Sequence, residues 1–154
     1  MNQIMDDSLG AVLTPDDIVL GHHSDSMNEA IEHAGRLLVA RGSISEEYIE
    51  GMKQRETKVS TYLGNGVALP HGVLESKEYI RSTGIVVVQH PDGVDWQAGT
   101  AHLVVGLAAV GDDHVRVLSQ LAEVLQDEDL CETLWRTTNA QFLYDCLTAD
   151  PDDD

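Results

Sequence analysis

Basic side chains are scarce in this chain. Its 154 residues carry nine Lys plus Arg against 27 Asp plus Glu, a formal net charge of -18, and only Lys53, Lys58 and Lys77 are lysines. Such an excess repels phosphate backbones and argues against nucleic-acid binding. Acid-rich, lysine-poor surfaces suit solutions in which repulsion is screened within about 3 Å, as at 1 M salt, so the composition leads to the expectation of a halophilic protein. No run of eighteen apolar residues occurs, which excludes a transmembrane helix. Met1–Asp7 lacks the basic and apolar regions of a secretion signal, so a soluble, cytoplasmic protein is expected. Cysteine is limited to Cys131 and Cys146, fifteen residues apart, which is neither a metal spacing nor a disulfide framework. Both read as small buried hydrophobes. With no internal repeat and no long Pro/Ser-rich linker, the chain reads as one domain over residues 1–150. The acidic residues 151–154 form a tail expected to be disordered.

What is present is enough apolar residue, 42%, to build a full core. Ile18-Val-Leu20 reads as a first strand. Ser26-Met-Asn-Glu29 reads as a capping box opening a helix to about Arg41, with Ala30, Ile31, Ala34, Leu37 and Leu38 on one face and Gly42 as its stop. A second helix is expected from Glu46 to about Thr57, entered through Ser43 or Ser45. Thr83–Gln89 and His102–Ala108 are β-branched runs typical of buried strands, and Pro91–Asp95 between them has turn chemistry. A third helix, capped by Asp112 and Asp113, should bury Val115, Leu118, Leu121, Ala122 and Leu125. Asp127-Glu-Asp129 should break it, with a short helix around Leu130–Trp135 and a last one opened by Asn139, carrying Phe142, Leu143 and Leu147. Strands between helices imply an α/β domain with a central mixed β-sheet flanked by helices on both faces.

Seven histidines are the candidates for chemistry near neutral pH, because imidazole titrates near 6.5. His22 and His23 read as loop residues, His33 as part of a polar helical face, and His90 and His102 as ordinary surface or edge residues flanking strands. His71 differs. It sits in Gly64-Asn-Gly-Val-Ala-Leu-Pro-His71-Gly72, a glycine-flanked turn where Pro70 pins the backbone and Gly72 removes a side chain, which would let a partner approach the ring. His114 falls in the first turn of the third helix, where unpaired N–H groups and the helix dipole favour anions. Arg55, sixteen positions before His71, offers a guanidinium fork matched to phosphate. No His-x-x-x-His or carboxylate-rich cluster surrounds His71, which argues against a metal hydrolase, and no cofactor signature is present.

Taken together, Tyr48–Arg55, Thr61-Tyr-Leu-Gly64, Val67-Ala-Leu-Pro-His-Gly72 and Leu107-Ala-Ala-Val-Gly-Asp-Asp-His114 resemble the IIA component of the bacterial sugar phosphotransferase system, fructose–mannitol class. The resemblance runs from about Asp25 to Leu147, and Thr61–Gly64 with Gln89-His-Pro-Asp-Gly93 is most similar to the mannitol branch. It implies a phosphotransferase component without cofactor or metal. His71 would take a phosphoryl group from the phosphocarrier protein HPr and pass it to a cysteine of the IIB component, which phosphorylates fructose or mannitol entering through the membrane IIC component. His114 would orient the phosphoryl group and Arg55 would neutralise it. A regulatory, nitrogen-type IIA protein using the same His71 is the alternative. Asn65 stands where some mannitol-type relatives have an acidic residue, which puts carboxylate assistance there in doubt. The segment 91–100 is shorter than in some of those relatives.

Overall fold

The computed structural model describes residues 13–110 and 113–148, with Leu74, Asp113 and His114 described by backbone alone. The order of elements is β1 (Ile18–Val19), α1 (Met27–Ala40), α2 (Glu47–Lys58), β2 (Tyr62–Gly64), β3 (Val67–Ala68), β4 (Gly84–Asp95), β5 (Thr100–Ala108), α3 (Asp113–Leu125), α4 (Glu128–Arg136) and α5 (Ala140–Thr148), with 3-10 turns at Pro15–Asp17 and Leu74–Tyr79. The sheet is mixed, in the order β1-β4-β5-β3-β2. β4 and β5 pair antiparallel, β1 lies parallel to β4, and β3 lies parallel to β5 with Val67 opposite Leu103.

Period-two alternation in β4 and β5 divides the core in two. Ile85, Val87, Leu103, Val105 and Leu107 point to the face covered by α3, α4 and α5, where Val117, Leu121, Leu134, Leu143 and Leu147 meet them. Val86, Val104 and Ala108 point to the opposite face, under α1 and α2. Helices therefore cover both faces, as expected. α1 starts where the capping box predicts, the Ser26 hydroxyl accepting the Glu29 N–H at 3.1 Å. It packs closely on α2 because Gly35 has no side chain: a Cβ there would lie 2.6 Å from Ile49 Cγ1. The end of α2 is fastened by Glu56, a buried carboxylate accepting hydrogen bonds from Thr61 N (2.9 Å), Thr61 Oγ1 (2.5 Å) and Trp96 Nε1 (3.0 Å).

Four expectations need correction. The turn read at Pro91–Asp95 lies inside β4, at a register shift between Gln89 and Val94. A bulge tolerates a proline without N–H and a glycine at φ 80°, and the chain reverses afterwards, at residues 96–99. α3 buries Val117 and Leu121, while Val115, Leu118 and Ala122 face outward. Its apolar positions exceed one face, and the sheet takes only one of the possible stripes. Asp127-Glu-Asp129 does not merely break a helix: Asp127 Oδ1 accepts the Leu130 N–H at 3.0 Å and caps α4, whose first turn holds Glu128 and Asp129. Glu46 stands at the N-cap of α2 without a side-chain cap bond, so neither Ser43 nor Ser45 fills that position. The expected cap Asp112 and the tail 151–154 lie outside the described residues.

Candidate functional site

His71 follows β3 in a loop stretched between α2 and β5. Its Nδ1 lies 2.8 Å from the carbonyl oxygen of Leu69. A carbonyl only accepts, so the ring must donate there, and the lone pair of the neutral imidazole is placed on Nε2. The backbone on either side is anchored to one residue of β5. Leu107 N donates to Pro70 O at 3.0 Å, and the Tyr48 hydroxyl accepts from Gly72 N at 2.8 Å while donating to Leu107 O at 3.0 Å. Val73 N adds a 3.3 Å bond to Gly51 O of α2. Burial pushes the Tyr48 phenol up to about 12, so its proton stays in place at any working pH.

Half-buried His71 lines a cleft of about 220 Å³ together with Tyr48, Gly72, Lys77, Leu107 and Ala109. The sequence signals single out neither Tyr48 nor Lys77 as site residues. Tyr48 stands in the first turn of α2, seven residues before Arg55, and so shares its helix face. Gly72 also serves a different end from the one expected. A Cβ at Gly72 would lie 2.4 Å from Ser76 Oγ and 2.5 Å from Tyr48 Cε1, so the missing side chain lets α2 and the 3-10 turn close on the loop.

The other two candidates are placed differently. His114 is the second residue of α3, which begins four positions after the cleft residue Ala109; its side chain is outside the described set. Arg55 is not among the described residues lining the cleft. Its Nη1 donates to Val59 O at 2.5 Å, across the end of α2. Asn65, at φ 48°, donates through Nδ2 to Leu125 O at 2.5 Å and fastens the β2–β3 turn to α3. Trp135 seals the same turn, its Nε1 donating to Asn65 O at 3.2 Å.

Three of the remaining histidines are more closely packed than expected. His90 is buried in β4, with Nε2 2.8 Å from Ser24 Oγ and Nδ1 3.2 Å from Val88 O, and burial first, then neighbouring histidines, pull its pKa down to about 4. His33 stacks on His22 with ring centres 3.9 Å apart, and burial followed by the charge of His22 lowers its pKa as well. His102 stacks on Trp135 at 4.3 Å. His90 is buried and the other two half-buried, through contacts with the loop before α1 and with α4 that local sequence does not carry. Cys131 is buried and Cys146 partly buried, both as thiols, in line with their reading as small hydrophobes.

The family model described as "Phosphoenolpyruvate-dependent sugar phosphotransferase system, EIIA 2" matches residues 11–149. The chain belongs to this family. It is 37% identical over 133 residues to the mannitol-specific phosphotransferase enzyme IIA component of Staphylococcus aureus, covering 86% of this chain and 92% of that one. It is 42% identical over 130 residues, 82% of its length, to the mannitol-specific EIICBA component of Buchnera aphidicola, of which it spans only 20%. The Escherichia coli mannitol enzyme IIA, solved in complex with phosphorylated mannitol enzyme IIB, superposes with a TM-score of 0.84 at 35% identity, covering 90% of this chain and 98% of that chain. The Pro-His-Gly loop of this EIIA chain thus lies beside β5 and α2.

Proposed function

We propose that this EIIA chain carries a phosphoryl group on His71 Nε2, taken from the phosphocarrier HPr and passed to a cysteine of a IIB component. The observation supporting this most directly is the bond from Nδ1 to Leu69 O, which leaves the nucleophilic lone pair on Nε2 of a residue lining a cleft. In the forward step that lone pair attacks phosphorus, the donor's bond to phosphorus breaks, and its electron pair leaves with the donor. Onward transfer reverses the roles: a thiolate attacks, the N–P bond breaks and the pair returns to Nε2. The proton stays on Nδ1, hydrogen-bonded to Leu69 O, throughout, and the carbonyl dipole stabilises positive charge developing on the ring.

In this reading His114 donates to the phosphoryl oxygens from the N-terminal turn of α3. Arg55 exchanges Val59 O for a phosphoryl oxygen, a rotamer change within reach of a guanidinium on the Tyr48 face of α2. The mannitol-specific relative and the mannitol IIA–IIB complex favour mannitol over fructose as the sugar served. Among the described residues no helix is long and apolar enough to cross a membrane, which suits an EIIA unit acting at the cytoplasmic side of a separate or fused IIC. The net charge of -18 supports work in concentrated salt, with partners docking mainly through apolar contacts because screened charges steer weakly.

The test is phosphoryl transfer from labelled phosphoenolpyruvate through enzyme I and HPr to wild type and His71→Ala, at several molar KCl. Acid-labile label on the wild type alone is the expected result. Equal labelling of both moves the phosphosite elsewhere, and no label on either turns the reading towards the nitrogen-type regulatory alternative or a different donor.

A further inference from the structure

The backbone around His71 closes a ring of hydrogen bonds in which one side chain takes part. Pro70 O accepts from Leu107 N, Leu107 O accepts from the Tyr48 hydroxyl, and that hydroxyl accepts from Gly72 N. The residues before and after His71 are thus tied to the same residue of the central strand, one directly and one through Tyr48. β5 is a rigid reference, paired with β4 on one side and β3 on the other. The packing around the hydroxyl leaves little slack, since the tyrosine is buried and its ring fills the space a Gly72 side chain would need.

A ring bond from His71 Nδ1 to a carbonyl two residues earlier holds only while the backbone keeps its orientation at residues 69–72. We infer that Tyr48 is a positioning residue for the chemistry of His71: its hydroxyl holds the loop in the one geometry that keeps Nδ1–H on Leu69 O and the lone pair on Nε2. This inference rests on the reading of His71 as phosphoryl acceptor. The phenol suits the task better than a backbone group. It supplies one acceptor and one donor at the same oxygen, and its high pKa keeps both roles at working pH. Tyr48 touches no reacting atom in this scheme and acts through the loop alone. Removing its hydroxyl strands Gly72 N–H and Leu107 C=O in the cleft wall, where each seeks another partner and the loop relaxes.

Tyr48→Phe keeps the ring and removes only the oxygen. Two measurements on it are set beside Ile18→Val, a core variant in β1, which β4 separates from β5. The first is the ¹⁵N chemical shifts of the His71 imidazole in the unphosphorylated protein. The second is the rate of phosphoryl transfer from HPr. We expect wild type and Ile18→Val to show one tautomer, protonated at Nδ1, and Tyr48→Phe a mixture. The kcat of Tyr48→Phe should fall about 10- to 100-fold, the scale of a displacement near 1 Å at a reacting group, with KM for HPr within about threefold. A wild-type tautomer in Tyr48→Phe overturns the inference, as does an unchanged kcat or an equal loss in Ile18→Val. A wild type that takes no label refutes the phosphoryl reading of His71 instead, and the nitrogen shifts still decide whether Tyr48 sets the ring.

Discussion

The carboxylate of Glu56 should be among the costliest side chains to remove in this protein. It is buried and accepts three hydrogen bonds, from Thr61 N, Thr61 Oγ1 and Trp96 Nε1, with no basic residue among those partners. Glu56→Ala leaves three donors without an acceptor, each costing about 1 to 3 kcal/mol when buried. Water entering the space recovers part of this, so the net loss should be about 3 to 5 kcal/mol. Glu56→Gln is informative by contrast. The amide oxygen can take the place of Oε2 and accept from Thr61 N and Trp96 Nε1, while the amide nitrogen donates to Thr61 Oγ1. All three contacts survive as neutral bonds, and the loss should be about 1 kcal/mol. For a chain of this size 1 kcal/mol moves Tm by roughly 2 to 4 °C, so Glu56→Ala should melt about 10 °C below wild type and Glu56→Gln about 3 °C below. Thermal melts followed by tryptophan fluorescence report directly, because Trp96 is one of the donors. Equal Tm values for the two variants, or Glu56→Ala within 3 °C of wild type, would show that the carboxylate is not the fastening described.

Other outcomes follow from the same geometry. Burial holds His90 near 4, whereas an unfolded imidazole titrates near 6.5, so between these values the unfolded chain binds the extra proton. Its contribution is intact above about pH 6.5 and is lost as pH falls towards 4, by roughly 2 to 3 kcal/mol, with His33 acting in the same direction. Urea midpoints at pH 7.5 and 4.5 should therefore differ more in wild type than in His90→Gln, and equal differences would contradict the assignment. Gly66→Ala should destabilise far more than Gly21→Ala. Both glycines have positive φ, 78° and 66°, but a Cβ at Gly66 meets the Trp135 ring at 2.4 Å while nothing lies within 4 Å at Gly21. Backbone strain alone costs about 1 to 2 kcal/mol, so Gly21→Ala should lose a few degrees in Tm and Gly66→Ala about twice that or more. Dilution of KCl from molar to 0.1 M should lower Tm as repulsion within a chain of net charge -18 is unscreened, and undiminished stability at low salt would refute the halophilic reading.

Much of the fold was legible because local rules and the tertiary outcome agree. Ser26 and Glu29 open α1, Asn139 Oδ1 accepts the Phe142 N–H at 3.1 Å at the start of α5, and the Val-rich runs of β4 and β5 become the two central strands. The motif loop with His71 and the family also followed from sequence, since short-range spacing carries them. Sequence alone thus determined the alternation of helices and strands, the acidic surface, and the histidine on which the proposed chemistry rests. Only the tertiary structure decided which stripe of α3 the sheet buries and that Pro91 sits in a bulge. It also decided that His33, His90 and His102 are packed, and that Tyr48 closes on Gly72 and Leu107. The physical reason is separation along the chain. Caps and periodicity act over a few residues, but a buried imidazole or a shared hydroxyl depends on segments 24 to 68 residues apart meeting in space, as Tyr48 meets Gly72 and Gly21 meets Gln89.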